Sequence, residues 1–301
     1  MSSEVTSIEE KSNNSKNIIT YSAILITFLI ALWLSFQSEG PSKMPKVVTD
    51  EFTFTAWVND GEDYLKKNYR WFTKIIAGYI KNGYYFLEDF LIDSPWLLIA
   101  AIIFLPCLIA GGLRLGLYSL FVIYFWGGTG MWDESMQTLA LMGLSVLLCV
   151  VFGVTLGVMC SQSDRFDNFM KPILDTMQVM PAFVYLFPAL FFFGIGGAPA
   201  ILATMIYAMP PIIRLTNTGI RQVPEQTIES ATSFGSSKLQ LLFKIKIPLS
   251  LPSIMMGINQ VIMMALALVV LACFIGAEGI GGQVWLCLLY TSPSPRDLYQ
   301  S

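Results

Sequence analysis

The 301-residue chain contains no histidine, which removes the usual general base, the commonest metal ligand and the side chain that titrates near neutral pH. Zinc chemistry and His-based triads are excluded as modes of action. No Gly-Lys dipeptide occurs anywhere, so no Walker-type loop is present to cradle a nucleotide. If ATP drives this protein, another polypeptide binds it. Charged residues make up only 13% of the chain and the net charge is −3, which leaves no basic face for nucleic acid. Cys107, Cys149, Cys160 and Cys273 fall within or at the end of apolar segments, with no C-x-x-C pair, and read as small buried apolar residues. No metal, no cofactor and no catalytic residue is expected.

What the chain has in excess is apolar side chain: 54% of residues are hydrophobic and the mean hydropathy is +0.61. A single soluble core of this length buries far less. The composition therefore predicts an all-α polytopic membrane protein. Residues 1–17 are Ser/Asn/Glu/Lys-rich and read as a cytosolic tail. Residues 18–36 carry no charge and are near the length that a helix needs to cross the hydrocarbon, which predicts a retained anchor with its N-terminus inside.

From 37 to 95 charges and aromatics interleave, and Tyr64, Leu65, Trp71, Phe72, Ile75, Ile76, Tyr79 and Ile80 follow helical spacing. That pattern predicts an extracytoplasmic amphipathic helix at the membrane interface, with a small soluble cap as the alternative. Residues 96–128 are almost wholly apolar except near Gly111, Gly112 and Arg114. A central arginine costs about 2.5–3.5 kcal/mol in insertion assays, so this stretch is read as a transmembrane hairpin hinged there. Further spans are expected at 135–160, 177–195, 199–215 and 250–275, making about seven in all. Arg165 and Lys171 mark one connection as cytoplasmic, and Arg221, Lys238, Lys244 and Lys246 mark a second. The composition changes abruptly over 286–301, which predicts a non-native tail there.

The second connection, 221–248, is a polar hairpin between apolar spans. Pro224 suits a first helical turn, Glu225 and Glu229 lie near that helix's positive end, and Gly235 suits its C-terminal stop. Ser237 and Gln240 have the spacing of a capping box for a second helix through Lys244, and Pro248 and Pro252 mark the return to the membrane. Ile228, Ala231 and Phe234 share one face, and Ala231 is small enough to admit a partner backbone. Such a hairpin can fill a partner's groove. The alternatives are an amphipathic loop on the bilayer and, less compatible with flanking spans, a DNA-reading helix-turn-helix.

In this stretch Glu229-Ser230-Ala231, Gly235, Ile245 and Ile247-Pro248 keep one register. It resembles the E-A-A…G…I-x-L-P signature of ABC-transporter permeases, with Ser230 and Ile247 as mild departures. Asp175 to Tyr185, Pro210 to Asn217, Gly219 to Glu225 and Gly257 to Gln260 are similar to glycine betaine/proline betaine permeases of osmoprotectant importers. The resemblance covers roughly residues 95–285, with the permease core at 135–285. Members of that family continue past Gly279-Ile-Gly-Gly282 into another helix, so the resemblance implies truncation at the C-terminus.

The resemblance implies a type I ABC importer (MetI-like) helix bundle in the bacterial inner membrane. It also implies a second permease copy in a homodimer, a cytosolic ABC ATPase and an extracytoplasmic substrate-binding protein. Glu225, Glu229, Ala231, Gly235 and Lys238 become the residues expected to couple to the ATPase. Phe183, Tyr185 and Phe187 offer rings to a methylated ammonium, and Asn217, Asn259 and Gln260 are polar groups for a translocation path. Pro181, Pro188, Pro210 and Pro211 are expected to kink or break helices. Other readings are an ABC permease for a different small solute, such as an amino acid, and an ion-gradient secondary transporter.

Overall fold

The computed structural model describes residues 21–22, 25–30, 33 and 54–291. The expected tail at 1–17 and the last ten residues lie outside the described residues, as does most of the expected anchor. The chain divides into two compact units, residues 1–68 and 69–301. The described residues between 21 and 33 are helical and exposed.

Helix α1 (Phe54–Asp93) covers the amphipathic stretch. Trp71, Phe72, Ile75 and Tyr79 are exposed on it, whereas further along Tyr84, Glu88 and Leu91 are buried. Helix α2 (Trp96–Gly128) turns at Gly112, whose φ of 68° breaks its helical path. This left-handed backbone suits glycine alone among ordinary residues. Beyond the turn the two arms pack together, since a β-carbon on Gly116 would lie 2.9 Å from the Phe104 ring.

Helix α3 (Trp132–Gln162) is followed by α4 (Asp164–Val179), a 3₁₀ turn (Ala182–Tyr185) and α5 (Leu186–Phe193). The single span expected at 177–195 is instead a bent element, with 111° between α4 and the segment from Ala182 to Phe193. Pro181 causes the break: the residue before a proline is driven out of the helical region, and Met180 has φ −68° and ψ 132°. Helix α6 (Gly197–Arg221) in contrast runs unbroken through Pro210 and Pro211, which therefore do not break it. The lost donors leave the carbonyls around Ile206 and Tyr207 without intrahelical partners. Close by, the Cys149 thiol donates to the Met205 carbonyl at 3.1 Å.

Helix α7 (Glu225–Ser233) and one turn of α8 (Lys238–Leu241) form the hairpin. A turn of π-helix (Leu242–Lys246) leads directly into α9 (Ile247–Leu271), a second 3₁₀ turn (Ala272–Ile275) follows, and α10 is Ile280–Thr291. The helix continues past Trp285 to Thr291. Among the described residues four helical stretches, with both arms of α2 taken as one, are long and apolar enough to cross a membrane, or up to five if the bent pair is one span.

Helix α6 is the axis of the bundle: 67% of its apolar window is buried, against 11% for α2. It lies between α3 and α9. In a bilayer the lipid is as apolar as the side chains, so association depends on close packing of small residues. Gly153 and Gly157 supply it on α3, where added β-carbons would strike Ile212 and Thr216 of α6. A second layer joins Met136, Leu141, Leu186, Ile201, Leu268 and Ile275. Cys149 and Cys160 are buried as expected, Cys107 and Cys273 are half-buried, and Cys287 is exposed.

Candidate functional site

The hairpin is closed by local chemistry that the sequence specifies. Helix α7 starts after Pro224, whose carbonyl accepts from Thr227 at 3.0 Å and Ile228 at 3.3 Å. Pro224 therefore precedes the first helical residue instead of occupying it. At the other end the Gly235 amide donates to Thr232 at 2.9 Å and the Ser236 amide donates to Ala231 at 3.1 Å. With Gly235 at φ 81° this is a Schellman stop. The second arm then begins with a complete capping box: the Gln240 amide donates to Ser237 Oγ at 3.3 Å and the Ser237 amide to Gln240 Oε1 at 2.9 Å. The departure at Ser230 is absorbed locally, since its hydroxyl donates to the Gln226 carbonyl at 2.7 Å.

The faces of the hairpin differ from the sequence expectation. Ala231 is 9% exposed and packs within this chain, whereas Phe234, expected on the same face, is 92% exposed. The reason is that the helix stops at Ser233, so Phe234 leaves the helical register. Phe234, Leu239 and Phe243 stand out as an apolar tip. Glu225, Glu229, Gly235 and Lys238 are exposed on the same hairpin.

Above the hairpin stem lies a polar cluster that the sequence reading missed. Arg221, the last residue of α6, donates from Nε to Asn217 Oδ1 at 2.9 Å, from Nη1 to Asp164 Oδ1 at 2.6 Å and from Nη2 to the Cys160 carbonyl at 2.8 Å. Asp167 is 7% exposed; it accepts from Asn217 Nδ2 at 2.7 Å and pairs with Lys171 at 2.9 Å. Further along α4, Asp175 pairs with Arg214 of α6. A cavity of about 190 Å³ lies among Cys160, Asp167, Lys171, Arg214 and Asn217. Asn217 is thus held by Asp167 and Arg221. The available signal was the recurrence of Asp164, Asp167 and Lys171 at helical spacing next to the Arg221 turn.

Of the other residues proposed for a path, Phe183 packs against Phe187 at 5.8 Å and Phe274 at 5.3 Å between ring centroids, and Phe274 against Trp285 at 4.7 Å. Tyr185 is buried beside Tyr207, and its hydroxyl donates to the Met177 carbonyl across the Pro181 break. Asn259 and Gln260 are exposed on α9, opposite the face that buries Ile254, Val261 and Ala265. At the far end of the bundle Gln137 donates to Glu278 at 2.9 Å, Gln283 to Glu134 at 2.9 Å and the Ile280 amide to Thr138 at 2.8 Å. Glu88 of α1 is buried near this group, and one of its carboxyl oxygens has no partner. Burial first, and the nearby Glu278 and Asp89 carboxylates next, push its pKa up against the opposing donors Gln137 and Tyr84.

Apolar helices long enough to cross a membrane, joined by a capped polar hairpin, define a polytopic membrane protein. The chain belongs to the family described as binding-protein-dependent transport system inner membrane component, whose profile matches residues 150–292. The glycine betaine/proline betaine transport system permease protein ProW of Escherichia coli is 41% identical over 76% of this chain and 65% of its own length. The glycine betaine transport system permease protein OpuAB of Bacillus subtilis is 51% identical over 52% of this chain and 55% of its own. The glycine betaine/carnitine transport permease protein GbuB of Listeria monocytogenes is 39% identical over 81% of this chain and 87% of its own. The chain therefore spans less than two thirds of the first two relatives and most of the third.

Proposed function

We propose that this chain is the permease of an ATP-driven importer for quaternary-amine osmoprotectants of the glycine betaine, proline betaine or choline type. It works as a homodimer with a cytosolic ABC ATPase and an extracytoplasmic binding protein, and performs no bond chemistry itself. The observation that carries this reading is the hairpin: rigid caps at Gly235 and Ser237 hold Phe234, Leu239 and Phe243 out of the chain. A stiff protrusion with an apolar tip and a polar rim is suited to a groove on another protein. Glu225, Glu229 and Lys238 supply its rim charges, while Ala231 lets α7 lie close on its own bundle.

The solute class rests on the relatives named above. Asn259 and Gln260 support the second copy and the path, because exposed amides within an apolar helix are stable only against protein or water. Co-expression with the ATPase and binding protein, reconstitution into liposomes and measurement of labelled glycine betaine uptake test the proposal. Uptake that requires an intact nucleotide site in the ATPase is expected. Uptake driven by an ion gradient alone refutes it.

A further inference from the structure

We propose that Asp167, Asn217 and Arg221 clamp α4 to the stem of the coupling hairpin, so that a displacement of α7 is delivered to the broken segment at Pro181. This rests on the importer reading and adds a transmission route to it. Only Gln222, Val223 and Pro224 separate Arg221 from α7, and Val223 is buried. Any force on the hairpin therefore reaches Arg221 through a short, partly packed connection. There the guanidinium holds three elements at once: the end of α3 through Cys160, the start of α4 through Asp164, and its own helix through Asn217.

Burial decides which of these contacts matters. The Asp164 side chain is 82% exposed, so its ion pair is a screened surface contact worth little. Asp167 is the anchor, because its carboxylate is buried and takes Asn217 on one oxygen, with Lys171 and, at 3.8 Å, Arg221 on the other. Moving α4 away from α6 strips two of those partners and leaves the charge with Lys171 of its own helix. The separated state thus loses one hydrogen bond to a carboxylate and one longer ion pair, which disfavours it. At the other end of α4 Asp175 pairs with Arg214 at an exposed site, and the Tyr185 hydroxyl, beyond the Pro181 break, donates to the Met177 carbonyl and ties the following segment to α4. Helix α4 and the lower part of α6 are thereby joined, and the Tyr185 hydrogen bond carries a displacement of α4 across the 111° bend at Pro181. Phe183, packed on Phe187 and Phe274, lies immediately beyond it.

The test exchanges the two hydrogen-bonding groups. Asp167→Asn, Asn217→Asp and the double exchange are reconstituted with the ATPase and binding protein, and ATP hydrolysed per solute imported is measured. Each single change is expected to raise that ratio at least ~5-fold, the effect of losing one charged hydrogen bond, and the double exchange to restore it to within about twofold. A purely structural role would alter yield without this reciprocal rescue. Independently, spin labels at positions 169 and 233, in a permease whose cysteines are replaced, report the α4 to α7 distance with no partner present. A narrow distribution in the parent and a broad one in Asp167→Asn are expected. Singles with a parental ratio, a double that stays uncoupled while folded, or equal distributions overturn the clamp. Loss of all ATP-dependent uptake in the parent would overturn the importer reading instead, and the label distances would still decide the clamp.

Discussion

Replacing Gly235 by alanine, leucine or asparagine separates the conformational role of the hairpin stop from its surface role. At φ 81° an L side chain meets its own backbone, and a β-carbon built there has no other heavy atom within 4 Å. The penalty in this chain is therefore conformational, about 1–2 kcal/mol for alanine and leucine alike, and smaller for asparagine, which tolerates the left-handed region. Escape from that strain gives up the Gly235 to Thr232 and Ser236 to Ala231 hydrogen bonds, each worth about 1 kcal/mol net. A penalty of 1–2 kcal/mol reduces the closed hairpin by about 5- to 30-fold relative to open forms. Because the loss is confined to the connection, all three variants should insert and accumulate normally.

Hydrogen exchange at the Gly235 (or substituted) and Ser236 amides reads the closure directly in the isolated permease. Protection should fall in the order glycine, asparagine, then alanine and leucine together. ATP-driven uptake in the reconstituted complex should follow that order, with hydrolysis persisting as uptake is lost. Alanine with the protection and uptake of glycine would refute the argument. Leucine much less protected than alanine in the isolated permease would show that space, and not backbone strain, sets the requirement.

Gly157→Ala places a carbon 2.6 Å from Thr216 Cβ and 2.9 Å from the Ile213 carbonyl, and should destabilise the α3 and α6 contact by about 1–3 kcal/mol, seen as a lower melting temperature in detergent. Ser237→Ala removes one half of the capping box and should weaken the second arm by about 1 kcal/mol, read as faster exchange of the Gln240 amide. Glu88 gives a pH dependence of known sign. A carboxyl whose pKa is raised on docking binds more protons docked than free, so the docking it favours is fully present below its ordinary value near 4.5 and is lost as pH rises through the raised value. The protection factors of the α1 amides, corrected for the base catalysis intrinsic to exchange, should therefore fall with pH, and Glu88→Gln should remove that fall; a slope unchanged in the variant would sink the assignment. Tyr84 and Asp89 on α1, Gln137 on α3 and Glu278 are the groups that set it.

The sequence by itself determined the class of the protein and the closure of the hairpin. Apolar excess admits few structures besides membrane helices, and the Gly235 stop and the Ser237 to Gln240 box are contacts between residues a few positions apart. Such contacts depend on local backbone geometry, which residue type and spacing carry. The turn at Gly112 was legible for the same reason, from a glycine pair beside an arginine in an apolar run.

Tertiary structure alone decided what those elements face. Pro181 breaks its helix while Pro210 and Pro211 do not, because two packed neighbours, α3 and α9, hold α6 together around its missing donors. Ala231 turned inward and Phe234 outward because the helix ended one residue earlier than its periodicity suggested. The clamp joins Asp167 to Asn217 across fifty positions, and each of its members reads alone as an ordinary polar residue at the end of a span. A long-range pairing of this kind is fixed by how the helices lie on one another: the Gly153 to Gly157 spacing marks a packing face on α3, but that this face meets α6, and that α4 then brings Asp167 to Asn217, is decided only by the fold.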